Sequence, residues 1–343
     1  MSTPFSELNE NLRANSRRWL VTGGAGFIGS HLIEHLLQHD QDVICLDNLS
    51  TGYASNLEAL KVNLSTSQKE RLKVIEGDLA NYDVCVSAVK NVDYILHQGA
   101  LGSVPRSIED PITSHCSNVT GTLNLFTAAK NAGIKRVVYA SSSSVYGDET
   151  SLPKIEDKTG NLLSPYAATK AISEVYANAF AHSYGMEFIG LRYFNVFGPR
   201  QDPDGPYAAV IPIWVKAMLQ GKPVFINGDG ETTRDFVYVA DVVQANLLAA
   251  SVSSLAEPSR AFNVAIGDQI SLNQLFHQIR SALLRIRPDL NIADPVYQDF
   301  RSGDVRYSTA DFSRVREELG FEPIHSVADG IDLAVQRYSE NSG

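Results

Sequence analysis

The stretch that most restricts how this chain can fold runs from Arg18 to Gln38. The apolar run Arg18-Trp19-Leu20-Val21 leads directly into Thr22-Gly23-Gly24-Ala25-Gly26-Phe27-Ile28-Gly29-Ser30, followed by the helical pattern HLIEHLLQ. This reads as strand, glycine turn, helix. Gly23, Gly26 and Gly29 stand at the spacing used where a backbone turns tightly, approaches a pyrophosphate and packs a helix on a strand, with phosphates at the helix N-terminus. A glycine-rich turn without a ligand is the plainer alternative, and the following residues argue against it. A second apolar strand, Asp42 to Leu46, ends in Asp47, roughly the 20 residues on at which a carboxylate accepts hydrogen bonds from an adenosine ribose. Asp47 would repel a 2′-phosphate, and Asn48-Leu49-Ser50-Thr51-Gly52 offers no Arg to hold one. NAD is therefore expected rather than NADP.

The pattern then repeats. Leu72-Lys73-Val74-Ile75-Glu76-Gly77-Asp78 is again strand then Asp, and Val92 to Ala100 is a fourth strand ending in small residues. Arg136 to Ala140 is a fifth, running into Ser141-Ser142-Ser143-Ser144-Val145-Tyr146-Gly147. Strands alternating with helices imply an α/β fold with a doubly wound parallel sheet, whose ligands sit at the C-terminal strand ends. Four hydroxyls at such an end lie where that rule places chemistry.

The chain has 343 residues, 44% of them hydrophobic, enough for one large domain and a smaller one. A formal net charge of −10 argues against nucleic acid or an anionic membrane as the main partner, so an anionic ligand must be met by local arginines. Cys45, Cys85 and Cys116 show no metal spacing, there is no C-x-x-C and no H-E-x-x-H, and no metal is expected. They are expected to be reduced thiols of a cytoplasmic protein. The first residues lack the order of a signal peptide, Phe5, Leu8 and Leu12 form the stripe of a short helix, and no stretch is long and apolar enough to span a bilayer.

Ser164-Pro165-Tyr166-Ala167-Ala168-Thr169-Lys170 opens a further helix. Ser164 is an N-cap, Pro165 suits the first helical position, and Gly185 supplies a stop. Tyr166 and Lys170 share one face. An ammonium near a phenol is expected to lower a pKa that is ~10 in free tyrosine, making a general base usable near neutrality.

Together TGGAGFIGS, Asp47, Asp78, SSSSVYG, SPYAATK and LRYFNVFGPR resemble the extended short-chain dehydrogenase/reductase superfamily acting on nucleotide sugars, over essentially the whole chain. Within it, ALGSVPRSI at 100–108, YAAVIP at 207–212, INGDGETTRDF at 226–236 and RSGDVRYS at 301–308 look most like the UDP-N-acetylglucosamine 4-epimerases. The resemblance implies a Rossmann-type NAD domain over 1–194, with a short extension at 1–17. It implies a mainly substrate-binding domain over 195–343, with segments around 236–265 returning to the first. Cofactor contacts are implied at Gly23, Gly26, Phe27, Ile28, Asp47, Asn48, Ser50, Thr51, Gly52, Asp78, Leu79, Gln98, Ala100, Asn118, Tyr166, Lys170 and Tyr193. The implied catalytic set is Ser142, Tyr166 and Lys170. Substrate positions are implied at Ser103, Ser142, Ser143, Asn195, Val210, Trp214, Phe225, Asn227, Arg234, Arg301, Asp304 and Ser308. Arg234 and Arg301 are expected to clamp the diphosphate. A homodimer built as a four-helix bundle from helices around 112–131 and 165–184 is implied as well.

Reaction type follows from what stands beside the active hydroxyl. Sister enzymes that eliminate water or lose CO₂ place a carboxylate just after it, and this chain has Ser143 and Ser144 there. Plain 4-epimerisation of UDP-GlcNAc and UDP-GalNAc through a 4-keto sugar is expected, with no net redox change. Ser308 falls where hexose-specific relatives carry Tyr, leaving room for an N-acetyl group. Gly99 in place of Ala and Phe225 in place of Tyr depart from the pattern. Epimerisation of a UDP-uronic acid or UDP-glucose, and a non-catalytic dinucleotide-binding scaffold, stand as alternatives.

Overall fold

The computed structural model describes residues 3–205, 208–300 and 306–340. A helix capped by Thr3, α1 (Pro4–Ala14), precedes the first strand. The chain then alternates through β1 (Arg18–Thr22), α2 (Phe27–Gln38), β2 (Asp42–Asp47), α3 (Ala54–Lys61), α4 (Thr66–Glu70), β3 (Leu72–Glu76), α5 (Tyr82–Ala88) and β4 (Tyr94–His97). Two short helices, α6 (Val104–Glu109) and α7 (Pro111–His115), lead through a π turn at Cys116–Thr120 into α8 (Gly121–Asn131). Next come β5 (Arg136–Ser142), a 3-10 turn at Ser143–Tyr146, α9 (Pro165–Tyr184) and β6 (Glu187–Tyr193).

Beyond residue 194 the elements shorten. They are β7 (Asn195–Phe197), α10 (Val210–Leu219), β8 (Phe225–Asn227), β9 (Thr233–Arg234), β10 (Phe236–Tyr238), α11 (Val239–Ser251), β11 (Ser259–Val264) and β12 (Ile270–Ser271). The chain closes with α12 (Leu272–Ile286), β13 (Val296–Gln298), α13 (Ser313–Leu319) and α14 (Val327–Glu340). Among the described residues no helix is long and apolar enough to cross a membrane.

Seven strands form one parallel sheet in the order β11-β6-β5-β4-β1-β2-β3, the Rossmann-type doubly wound arrangement expected. Period-two alternation decides which side each residue serves. Trp19 and Val21 enter the core shared with α2 and α11, whereas Leu20 faces the core of Phe126, Tyr139 and Phe188 on the opposite side. Being covered on both faces, the central strands read as continuous apolar runs. A separate core of Ile211, Trp214, Phe276, Ile279 and Ile331 joins α10, α12 and α14.

The later half returns to the large sheet through α11 and β11, in the 236–265 region. A second return, which the sequence reading did not anticipate, brings Val315, Leu319 and Phe321 into the core beneath α2. Their apolar spacing carries no mark of which core they join.

Three histidines are held neutral by this packing. Burial pulls the imidazoles of His31, His35 and His97 each down to about 3. A base with a lowered folded pKa contributes stability that is complete above about pH 6.5 and is lost as pH falls toward 3. Near pH 5 the unfolded chain therefore holds about three more protons on these side chains than the folded one. Their contribution should fall by up to about 4 kcal/mol per pH unit below pH 6, and the Asp235 carboxyl, pushed up to about 7 by burial, offsets about a third of that slope. Urea unfolding at pH 7, 6 and 5 measures this, and a flat profile would contradict it.

Candidate active site

The sheet order reverses between β1 and β4, and a ligand crevice opens at such a point. Here it is a cavity of about 330 Å³ across the C-terminal ends of β1, β2, β4 and β5. Gly23 takes φ +65°, and a Cβ there would stand 2.7 Å from the Gly99 nitrogen across the crevice. At Gly29 a Cβ would meet the Gly23 carbonyl oxygen at 2.1 Å, so only glycine lets α2 press onto the turn. Gly26 provides no side-chain cap, which leaves first-turn N–H groups and the positive end of the helix dipole for an anion.

At the adenosine end Asp47 is 9% exposed and accepts from Ala25 N at 2.9 Å and Leu49 N at 2.8 Å. One lone pair on each carboxylate oxygen is thus left for a ligand hydroxyl. Asn48 donates to Asp78 at 2.9 Å along the rim, beside Ser50, Thr51 and Gly52. No arginine is among the lining residues described. An acidic ribose acceptor, an uncapped helix and the lack of a 2′-phosphate partner fit NAD.

All the expected cofactor residues line this cavity except Asn118. That side chain sits behind the wall, accepting from Leu101 N at 2.7 Å and donating to Leu101 O at 3.0 Å and to Thr169 Oγ1 at 3.0 Å. It shapes the cavity edge formed by residues 99–102 and ties it to α9. The π turn supplies the local geometry at Asn118.

Tyr166 and Lys170 close the inner end. Ser164 caps α9 through Ala167 N at 3.1 Å, and Ser107 Oγ of α6 accepts from Tyr166 N at 2.9 Å. Lys170 is 6% exposed, its Nζ donates to Ala140 O at 2.8 Å, and burial pulls the ammonium down to about 8. Its Nζ stands 5.9 Å from the centre of the Tyr166 ring. The expectation that this ammonium lowers the phenol pKa needs correction. Burial raises the Tyr166 pKa, and the opposing influence is a hydrogen bond with Ser142. The two helix neighbours share a face, but Lys170 directs its donor to the strand.

The expected substrate positions fall in several places. Ser103, at φ +94°, caps α6 through Arg106 N at 3.3 Å, and Ser143 begins the 3-10 turn after Ser142. Asn195, Arg234 and Ser308 stand on the three segments that meet at Asp235. Asn195 Nδ2 donates to Asp235 O at 2.9 Å. The Asp235 carboxylate accepts from Ile266 N, Gly267 N and Ala310 N at 3.1, 3.1 and 3.2 Å. Burial pushes this carboxyl up to about 7. Ala265 and Ala310 pack with Tyr146 and Phe194, which brings this group to the serine turn. Phe225 and Asn227 lie apart on β8, with Phe225 47% exposed. Val210 starts α10, while Trp214 is a core side chain set edge-on to Phe276. Arg301 and Asp304 lie outside the described residues.

Residues 19–265 match the NAD dependent epimerase/dehydratase family. The chain belongs to this family. Its cofactor is NAD. It is 38% identical over 327 residues to the UDP-glucose 4-epimerase of Mycolicibacterium smegmatis, covering 95% of this chain and 99% of that protein. Over 327 residues it is 34% identical to the UDP-glucuronate 4-epimerase of Thermodesulfobacterium geofontis, covering 94% and 96%. The solved structure of the UDP-N-acetylglucosamine 4-epimerase from Methanobrevibacter ruminantium M1, in complex with UDP-N-acetylmuramic acid, superposes with a TM-score of 0.86 at 38% identity, covering 95% and 99%. Three different sugars stand in these names at similar identity.

Two supporting residues of this family member were missed in the sequence. Besides Asp235, Asn246 on α11 is fully buried. Its Oδ1 accepts from Gln98 Nε2 at 2.9 Å, and its Nδ2 donates to the Tyr193 hydroxyl at 2.8 Å. The signal was available, since a polar residue in the largely apolar VVQANLLAA run must find an internal partner. Replacing it by Asn246→Leu removes the partner of Gln98 Nε2 and leaves the Tyr193 hydroxyl with Gln98 Oε1 alone, at 3.0 Å, which should cost about 1–3 kcal/mol and lower the NAD content of the purified protein. Denaturant melts and extraction of bound nucleotide test both effects, and unchanged NAD occupancy would refute the role.

Proposed function

We propose that the protein interconverts UDP-GlcNAc and UDP-GalNAc by 4-epimerisation through a 4-keto sugar. The observation that carries the reading is the placing of Tyr166 and Lys170 at the inner end of the NAD cavity, with hydroxyls and no carboxylate in the turn that follows Ser142. Tyr166 takes the proton from the sugar's 4-hydroxyl. Ser142 holds the phenol and the reacting oxygen, and its influence lowers the Tyr166 pKa against the larger upward push of burial. Lys170, fixed to Ala140 O, presents a buried cation to the nicotinamide ribose. Bound in this cavity, NAD would supply the acceptor and donor of the hydride exchanged at carbon 4. Without an acid or base after Ser142, water elimination has no proton shuttle.

Arg234 and, from the sequence, Arg301 hold the diphosphate while the keto sugar turns. The choice of an N-acetylated sugar is supported by the small side chain of Ser308, two residues before the Ala310 amide that binds Asp235. A cytoplasmic homodimer is part of this reading. It is supported by exposed Ile108, Ile112 and Val175 on α6, α7 and α9, an apolar face of the helices expected to form the bundle.

Incubation with UDP-GlcNAc, UDP-glucose and UDP-glucuronic acid, with chromatographic resolution of the epimers, tests the function. Turnover of UDP-glucuronic acid or UDP-glucose alone would replace the proposed substrate, and bound NAD without any turnover would leave a scaffold. Tyr166→Phe should retain NAD and UDP-sugar binding while kcat drops about 10²–10⁴-fold, and near-normal turnover would overthrow the mechanism. Ser308→Tyr should abolish activity on UDP-GlcNAc while sparing some on UDP-glucose, and an unchanged preference would exclude gating at this position.

A further inference from the structure

Two consecutive residues at the end of β5 are hydrogen-bonded to α9, and the third acts on its first turn. Ala140 O accepts from Lys170 Nζ at 2.8 Å. Ser141 Oγ donates to Glu174 Oε1 at 2.6 Å, and Ser142, next in the strand, accepts from Ser144 N at 3.1 Å and is the neighbour that lowers the Tyr166 pKa against burial. Tyr166, Lys170 and Glu174 follow one another at four-residue steps, so they form a single stripe along the helix. Glu174 extends the Tyr-Lys pair by one turn.

The Glu174 carboxylate is itself fixed from the neighbouring strand. Arg192 Nε donates to Oε1 at 2.9 Å and its second terminal nitrogen to Oε2 at 2.8 Å. Arg192 lies opposite Ser141 in the β5–β6 ladder. Its remaining nitrogen donates to the Tyr146 hydroxyl at 3.2 Å and to Glu156 O at 2.9 Å, with the guanidinium 5.1 Å above the Tyr146 ring. The arginine side chain is 6% exposed. One ion pair thus grips both ends of the turn, Ser141 and Tyr146, with Ser142 between them. A buried ion pair adds little net stability over apolar packing, whereas a bidentate one fixes geometry.

We propose that Glu174 and Ser141 are positioning residues, which lock the end of β5 against α9 so that the Ser142 hydroxyl is held on the Tyr166 phenol. The bearing on turnover rests on the epimerase reading. The geometry itself does not.

Because Glu174→Gln would leave the Arg192 charge buried and incompletely paired, the test uses Ser141, whose hydroxyl can be removed without stranding a charge. Ser141→Ala, Ser141→Thr and Ser142→Ala are compared in the full-length NAD-bound protein. The Tyr166 phenol is titrated by ¹³Cζ-tyrosine NMR, its resonance assigned with Tyr166→Phe. The titratable neighbours on the same helix face are Lys170 and Glu174, and α6, α7 and the residue between them, packed against α9, carry Arg106, Glu109, Asp110 and His115. The end of β5, the π turn and the 3-10 turn add no charged side chain, and β6 adds the paired Arg192.

Since the Ser142 hydrogen bond lowers the phenol pKa, Ser141→Ala should move the titration midpoint upward, in the direction of Ser142→Ala, and Ser141→Thr should restore it. With UDP-GlcNAc, Ser141→Ala should lose kcat on the order of tenfold to a hundredfold, with KM within about twofold. A Ser141→Ala midpoint equal to that of the unaltered protein would overturn the proposal, even if kcat fell. The titration needs no substrate, so a protein inert toward every UDP-sugar would sink the functional reading while the midpoint still decides the positioning role.

Discussion

Taking an ammonium out of water is the requirement around which the active site is arranged. Lys170 is nearly inaccessible, and a buried charge needs fixed polar partners. The partner is the carbonyl of Ala140 at the end of a central parallel strand. Meeting it obliges α9 to lie across the C-terminal edge of the sheet, with its first turn over the crevice. Ser164 and Ser107 then satisfy N–H groups exposed where the helix begins there, and Pro165 removes one. The tyrosine one turn earlier is carried to the serine turn by the same docking.

A second buried polar chain makes the cofactor crevice and the reactive helix parts of one structure. Thr122 Oγ1 donates to Asn118 O at 2.5 Å, which leaves His97 Nε2 to donate to Thr122 and His97 Nδ1 to accept from Thr22. Thr22 in turn accepts from Gly99 N. Asn118 continues the chain to Thr169, whose hydroxyl donates to Tyr166 O at 2.8 Å. The glycine turn after β1, the wall after β4 and α9 therefore share one set of directed hydrogen bonds. It suits a neutral His97, whose protonation would set a second cation near Lys170.

Much of this was legible because it is local. The strand–glycine–helix unit, Asp47 at the next strand end, and Tyr166 with Lys170 on one helix face all depend on spacings of a few residues, which backbone periodicity converts directly into geometry. Asn246, Asp235 and Glu174 were not recognised. Each is an ordinary polar residue in sequence, and its significance comes from partners such as Gln98, Ala310 and Arg192, which other elements deliver. Position 214 illustrates the reverse case. A tryptophan read by resemblance as a pocket residue is packed against Phe276 in the core of the second layer, because α12 happens to cover it.

By itself the sequence determined the alternation of elements, hence a parallel sheet and a crevice, together with the identity of the residues at its strand ends. The tertiary structure decided the electrostatics. Whether a phenol is pushed up or down depends on the water excluded from it and on where nearby donors are aimed, and both are set by residues far away in the chain. The expected influence of Lys170 on Tyr166 was a reasonable inference from one helix face. It fails because β5 supplies Lys170 with a carbonyl and Tyr166 with a serine, contacts that exist only once residues 140–142 and 166–174 are folded together.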